Sequence, residues 1–396
     1  MKYVIIGGAG AMGRIAVRDL FEFAESDDEI VIADYNFAKA EALARGYADQ
    51  RVIAKQVDVL SVDETVEVLR GAVVVLNCLQ HNLNLHVMEA ALRAGCHYID
   101  LGGLFHWTTK QLRLDERFRA AGRLAILGMG AAPGITNVLA RMGADELETV
   151  REIHCRVAGV DKTRYENPPP LPISYSLRTI MEEFSLEPAV FTRGKLTFVP
   201  PISGQTPMRF PPPVGVQRPM YTIHSELATL PSSFAQKGVQ EVSFKIAFDP
   251  DFLQKIKFLR DLGLASHEPI PVGGAKISPI ELLNKVAASQ KSPRRIGNLK
   301  QYEIVRTIVK GTKRGKKMTL VLDCHTAGNA KWGMGSDINT GSPPAIVARM
   351  ISTGEIKGAG VFAPEQILPP GPFFAQLKKR GFSMRMNCKA GWGLKT

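Results

Sequence analysis

The chain is short of cysteine, aromatics, acidic residues and long apolar runs, and each shortage closes off a class of protein. Its five cysteines (78, 96, 155, 324 and 388) are odd in number, far apart and without a C-x-x-C pair. That argues against a disulfide framework or a cysteine zinc site and fits a reducing cytoplasm. No apolar run approaches the roughly 18 residues of a membrane helix, so no membrane partner is expected. The apolar start at Tyr3–Ile6 is broken by Gly7, Gly8, Gly10, Gly13 and Arg14, which argues against a cleaved signal. Acids number 38 against 50 Lys and Arg, a net charge of +12. The excess is local: residues 291–317 hold ten basic residues against Glu303 alone, and 378–396 hold six with no acid. The Lys310–Lys317 run lies between two β-rich stretches and reads as a solvated hairpin turn. Aromatics are 7% of the chain, and only Tyr302 stands near that turn to stack on a base, so no nucleic-acid partner is expected.

What is present is a globular composition, 45% hydrophobic and 22% charged, at 396 residues, which leaves room for two domains. Strand patterns at Tyr3–Ile6, Glu29–Ala33, Arg51–Val57, Val73–Leu76, His97–Ile99 and Leu124–Leu127 alternate with helical ones. The helices are read at Ala11–Phe23, Asn36–Ala44, Val62–Leu69, Leu83–Arg93 and Trp107–Ala120. Short buried strands separated by amphipathic helices predict right-handed βαβ units and a parallel sheet. After Pro133 longer strands appear (Val150–Gly159, Gln240–Phe248, Tyr302–Val309, Lys317–Cys324), with helices at Ser176–Phe184 and Asp251–Leu262. This predicts an α+β domain with a largely antiparallel sheet. Proline clusters at Asn167–Pro172 and Pro200–Pro219 read as loops. A helix is expected to open at Ser342-Pro343-Pro344, run through Ile351 and close at Gly354. The fold class is therefore α/β: a Rossmann sheet over 1–133, an inserted α+β substrate and dimerisation domain over 134–340, and a C-terminal segment, 341–396, packing back on the first domain.

Gly8-Ala9-Gly10-Ala11-Met12-Gly13 sets G-x-G-x-x-G directly between a strand and a helix. Gly8 is expected to permit the tight turn, Gly10 the approach of a pyrophosphate, and Gly13 close helix–strand packing. The N–H groups around Ala11 and Met12 then face the phosphates at the helix start. Asp34 follows Gly13 by 21 residues at the end of the second strand, where a carboxylate accepts both adenosine ribose hydroxyls and repels a 2′-phosphate. With no Arg in the Tyr35-Asn36 that follows, NAD is favoured over NADP. Asp58 is read either as a partner of the adenine amino group or as a helix cap. Asn77, Cys78 and Leu79 end the fourth strand and are expected beside the nicotinamide ribose.

These residues, with Val31–Asp34, His97–Gly103, Gly130–Asn137, Leu259–Leu264, Pro269–Val272 and Gly360–Glu365, resemble the saccharopine dehydrogenase-like family across nearly the whole chain. Within it the resemblance is closest to the lysine 6-dehydrogenases, of lysine metabolism. It implies a Rossmann domain completed by the C-terminal segment, an inserted substrate domain and a homodimer. Two features depart. His224-Ser225-Glu226-Leu-Ala-Thr229 replaces a Gly-rich stretch and resembles the His-x-Glu element of carboxynorspermidine dehydrogenases and related reductases. Ala132 stands where glutamate-forming saccharopine reductases carry an acid.

The family reaction moves hydride between a nicotinamide and a carbon bearing nitrogen, through an imine. Glu226 and His224 are the candidates for handling the proton on nitrogen, with Asp100 as rival, read equally as capping the turn at Leu101-Gly102-Gly103. On an extended segment the His-x-Glu pair would point the same way; a surface pair in a loop is the plain alternative. Tyr175 and Arg178, where Ser174-Tyr175-Ser176 opens a helix, are candidates for a substrate carboxylate. Asn137 is placed to reach the nicotinamide or substrate. No His/Asp/Glu cluster has metal spacing, and no metal is expected. The sequence thus points to a lysine 6-dehydrogenase-like enzyme acting on a small amine or amino acid. The alternatives are a saccharopine- or carboxynorspermidine-type reductase that condenses an amine with a carbonyl compound, and a non-enzymatic NAD(H)-binding redox sensor that presents 291–317 to a partner.

Overall fold

The computed structural model describes residues 1–173, 175–290 and 293–391; Ser174, Lys291, Ser292 and the basic Lys395 of the sequence reading lie outside it. Six short strands carry the first domain: β1 (Lys2–Ile6), β2 (Glu29–Asp34), β3 (Val52–Gln56), β4 (Val74–Asn77), β5 (His97–Asp100) and β6 (Leu124–Ile126). They form one parallel sheet in the order β6-β5-β4-β1-β2-β3, and Gly360–Phe362 adds a seventh strand beside β6. Helices cover both faces, so Val4, Ile5 and Ile6 are all buried and the strand reads as one continuous apolar run. Local chemistry sets the helix starts: Asn36 Oδ1 accepts from Lys39 N, and Ser61 Oγ from Glu64 N.

Beyond β6, helix Ile135–Asp145 is sandwiched between the two domains, and a Cβ at Gly143 would come within 2.7 Å of Val309 Cγ2. The second sheet runs Lys195–Phe198, Ala189–Thr192, Glu241–Ile246, Thr149–Asp161, Gln301–Lys313, Lys316–Thr326, Ser383–Ala390. Only the pair Glu241–Ile246 and Thr149–Asp161 is parallel. The hairpin at Arg314-Gly315 turns on two left-handed residues (φ 51° and 71°), as a two-residue turn requires. The Pro-rich 200–219 segment lies across this sheet, where Phe210 and Val214 pack on Ala158 and Ile304. Helices Leu177–Ser185, Pro250–Asp261 and Pro279–Ala288 build a small cap around Ile180, Phe184 and Ile256.

Three elements differ from the sequence reading. The stretch expected as one helix over 107–120 is two, Phe105–Leu112 and Asp115–Ala120; the break lets Asp115 Oδ1 accept from Val361 N at 2.8 Å. The helix expected to open at Ser342 starts at Ile338 and runs to Ser352 with Pro343 and Pro344 inside. Tertiary contacts hold its extra turn. Gly341 is pressed on Ile15, where a Cβ would meet Ile15 Cβ at 2.5 Å, and Asn339 Nδ2 donates to Glu303 Oε1 at 2.5 Å. The C-terminal segment meets the first domain where this helix packs on Ile15 and Gly360–Phe362 pairs with β6. Its last strand, Ser383–Ala390, instead pairs with Lys316–Thr326 in the second sheet. Among the described residues no helix is long and apolar enough to cross a membrane.

Arg380 ends helix Pro370–Lys379 and reaches Asp19 of helix Gly13–Phe23 with two nitrogens, both side chains fully buried, and its guanidinium lies 3.9 Å above Phe23. Removing one partner leaves a buried charge unanswered. Arg380→Ala is expected to destabilise by about 3–5 kcal/mol, and an Asp19→Leu/Arg380→Met double variant by less, as read by denaturant unfolding.

Candidate active site

The glycine turn lies between β1 and helix Gly13–Phe23. Its left-handed residue is Gly7 (φ 72°) rather than Gly8, whose role is proximity: a Cβ there would sit 2.8 Å from Ile5 O. At Gly13 a Cβ would fall 2.2 Å from Gly7 O, so the helix can pack on the turn only without a side chain. The N–H groups of Ala11, Met12 and Gly13 meet no acceptor among the described residues, which leaves donors at a helix N-terminus for phosphate oxygens. Asp34 stands beside them, with Oδ2 accepting from Ala9 N at 3.1 Å and Oδ1 from Asn36 N at 2.9 Å. Beyond it an open groove is lined by Tyr35, Gln56, Asp58, Glu64 and Glu67. Asp58 borders this groove and also braces the turn before the helix, since Oδ1 accepts from Leu60 N at 3.0 Å; the cap itself is Ser61. Leu79 covers Gly7, and burial pushes the neighbouring Cys78 thiol up to about 12. Turn, free donors and carboxylate fit a dinucleotide.

Two residues expected at the crevice are consumed by the fold. Asn77 donates to Asn84 Oδ1 (2.9 Å) and Tyr98 OH (3.1 Å) and accepts from Leu79 N, so it is turned into the core rather than toward a ribose. Asp100 takes Gly102 N and Gly128 N on one oxygen, and Tyr98, Gln111 and Asn84 on the other. Burial raises its pKa while these donors oppose the rise. Its coordination is full, and it fastens loops instead of moving protons.

His224 and Glu226 do come together, by a different route than the extended segment expected. Glu226 is the first residue of helix Glu226–Ser233, and His224 lies two residues before it in irregular chain. Glu226 Oε2 is 2.5 Å from His224 Nδ1, and Oε1 accepts from Thr136 Oγ1 at 2.8 Å. Phe244 stacks on the imidazole at 3.7 Å. Burial opposes charge on His224, but the carboxylates of Glu226 and Glu183 outweigh it and hold its pKa above the ordinary imidazole value. Nε2 has no protein partner among the described residues. A ring oriented through Nδ1 by a buried carboxylate, with Nε2 free, is a proton-transfer arrangement.

Beside this pair stands one buried acid that the sequence reading missed, and two more lie further off. Glu183, buried on helix Leu177–Ser185, is pushed up to about 7 by burial, and its Oε2 accepts from Tyr175 OH at 2.8 Å. Burial also lifts Glu303 to about 7 and Asp337 to about 6. The charge of Glu303 reaches Tyr175 as well, so the tyrosine stands between two acids. A signal existed: Glu183 falls on the apolar stripe of Leu177, Ile180 and Phe184, and Glu303 on the inward phase of Val305, Thr307 and Val309. Arg178 is elsewhere, paired with Glu281 (3.0 Å) and Glu182 (3.5 Å), and is not free to hold a substrate carboxylate. Asn137 is likewise committed, donating to Glu365 Oε2 at 2.7 Å and accepting from Gly134 N. Glu152, His154 and Glu241 converge on the far face of the second sheet, where Lys310 already lies 2.7 Å from Glu152.

A parallel sheet with a phosphate-binding turn, and a buried His–Glu pair at the junction with a second sheet, define an oxidoreductase that uses NAD(P). The chain matches the saccharopine dehydrogenase NADP binding domain over residues 3–126 and the saccharopine dehydrogenase C-terminal domain over 130–382, and belongs to the saccharopine dehydrogenase family. Carboxyaminopropylagmatine dehydrogenase of Synechocystis sp. is 25% identical, with 96% of each chain covered. Carboxynorspermidine synthase of Vibrio cholerae is 23% identical, with 94% of each covered. The L-Glu-forming saccharopine dehydrogenase of Saccharomyces cerevisiae shares the fold with a TM-score of 0.74 at 18% identity, covering 98% of this chain and 100% of that one. The homospermidine synthase of Legionella pneumophila, solved with NAD, does so at 0.69 and 12%, covering 98% and 91%. These names favour the reductase alternative over the lysine 6-dehydrogenase first inferred from sequence.

Asp34→Ala is expected to weaken NADH binding roughly tenfold or more by removing charged acceptors, and to shift preference toward NADPH. Fluorescence titration with both dinucleotides reads the change.

Proposed function

We propose that this protein is an NAD-preferring reductase that joins an amine to a carbonyl compound by forming and reducing an imine, the amine carrying a second cationic group. The observation that carries the proposal is the buried His224–Glu226 pair, with the Glu183 carboxylate beside it and Glu303 acting on Tyr175. Buried carboxylates with raised pKa values are poised to ionise when a cation arrives. The names of the relatives, built on norspermidine and agmatine, support the same reading.

The dinucleotide, held by Gly8–Gly13 and Asp34 with Asp58 at its adenine end, supplies the hydride when bound. His224, as the imidazolium, gives its Nε2 proton to the hydroxyl of the carbinolamine, which leaves as water to give the iminium, and Glu226 fixes the ring and favours its protonated form beforehand. Tyr175 and Glu183 receive the ammonium end of the substrate. A homodimer completes the proposal: Phe258, Leu262, Leu282 and Val286 leave apolar surface on the cap that a second copy would cover. The five unpaired cysteines suit a cytoplasmic setting.

NADH should be consumed only when a diamine and a keto acid or aldehyde are offered together. NADH production from L-lysine and NAD⁺ alone would instead establish the lysine 6-dehydrogenase reading. Glu226→Gln should lower turnover by about 10²–10⁴-fold while leaving NADH binding intact. The pH profile gives a second reading. A proton donor with a raised pKa works below that value and fails as pH rises through it. Loss of the Glu226 charge lowers the His224 pKa, so the alkaline limb of Glu226→Gln should move to lower pH. Glu183→Gln should raise KM for a diamine far more than for a monoamine.

A further inference from the structure

The face of the second sheet turned away from His224 carries its charges in registered rows. In one row Glu241 and Glu152 are neighbours, and Lys310, in register with Glu152, lies 2.7 Å from the Glu152 carboxylate. Further along the same strands, Lys245, Arg156 and Arg306 stand in register on three adjacent strands, followed by Asp323 and Arg385 on the next two. This row has four cations and one acid, and Asp323 is taken by Arg306 through both oxygens (2.6 and 2.8 Å). Arg156 and Lys245 are left without a carboxylate, although only 8% and 7% of their surface is exposed. Arg156 donates to Cys155 O, Ser243 O and Ser243 Oγ. Lys245 Nζ donates to Gly204 O at 2.5 Å and lies 4.2 Å above the Tyr221 ring.

Like charges directly opposite on adjacent strands repel, and carbonyl acceptors offset desolvation without cancelling that repulsion. The strain registers in Lys245, whose pKa burial and then Arg156 push down to about 8. The way in lies beside exposed Gly204, which has φ 67°; a Cβ there would sit 2.4 Å from Tyr221 Cε2 and 3.2 Å from Lys245 Nζ. We propose that Lys245 and Arg156 form an oxyanion-binding site of phosphate size, entered past the Gly204 loop. In-register side chains on adjacent strands, about 4.8 Å apart, are close enough for both cations to share one tetrahedral anion. The site is separate from the dinucleotide site and from His224, which stacks on Phe244 from the opposite face of the same strand.

The test titrates the full chain with inorganic phosphate against chloride at constant ionic strength, reading melting temperature and calorimetric heat. The expected result is a saturable upward shift of a few degrees with one phosphate per chain. Lys245→Met should lose affinity at least about tenfold. Lys389→Met, which removes an exposed cation from the same sheet face, should keep it. Relief of repulsion should leave Lys245→Met no less stable than the parent in chloride. A non-saturating response shared by parent and Lys245→Met overturns the proposal. So does the absence of a saturable heat with the parent protein, a result that stands even if the variant fails to fold.

Discussion

The site depends on one buried carboxylate. A parallel sheet opens a crevice at its carboxyl edge only if the loops there are ordered without closing over it, and Asp100 meets that requirement with five donors. Gly102 and Gly128 bring the loops after β5 and β6, Asn84 and Gln111 bring two helices, and Tyr98 links the group to Asn77. Hydrogen bonds to a charged acceptor in a dry setting are among the strongest available to a fold. The first helix after the crevice, Ile135–Asp145, can then deliver Thr136 to Glu226 and Asn137 to Glu365. Through these contacts the helix is tied to helix Glu226–Ser233 and to Glu365 near the C-terminal end of the chain.

The charge of the molecule is divided in a way its total conceals. A net charge of +12 suggests a basic surface, yet buried acids stand near His224, and a row of cations crosses the far face of the second sheet. The strand Glu241–Ile246 separates the two regimes, with Phe244 under His224 on one side and Lys245 beside Arg156 on the other. Strand periodicity alone produces this separation, since alternate residues face opposite ways.

Much of the first domain was legible because its signals are local. A glycine turn, an acid at the end of the next strand and helix caps at Asn36 and Ser61 need only a few neighbouring residues to act. His224 and Glu226 were legible as a pair, but the helix start that joins them was not. Asp100, Asn77 and Asn137 were read as ligand-facing because strand ends and domain junctions face the crevice. Each instead serves the fold, and residue type cannot reveal which of its hydrogen-bond sites are already taken. Arg178 was drawn away by Glu182 and Glu281, one of them more than a hundred residues distant in sequence.

The sequence by itself determined the parallel sheet, the dinucleotide turn and the family, because backbone sterics at glycine and the spacing of apolar residues depend little on distant contacts. Tertiary structure alone decided which acids became buried together, where helix Ile338–Ser352 begins, and that Ser383–Ala390 closes the second sheet. Those outcomes follow from partners far apart along the chain, as Glu303 with Asn339 and Asp19 with Arg380. A carboxylate's role is set by whether water, a cation or another acid lies beside it, and only the folded chain supplies that neighbour.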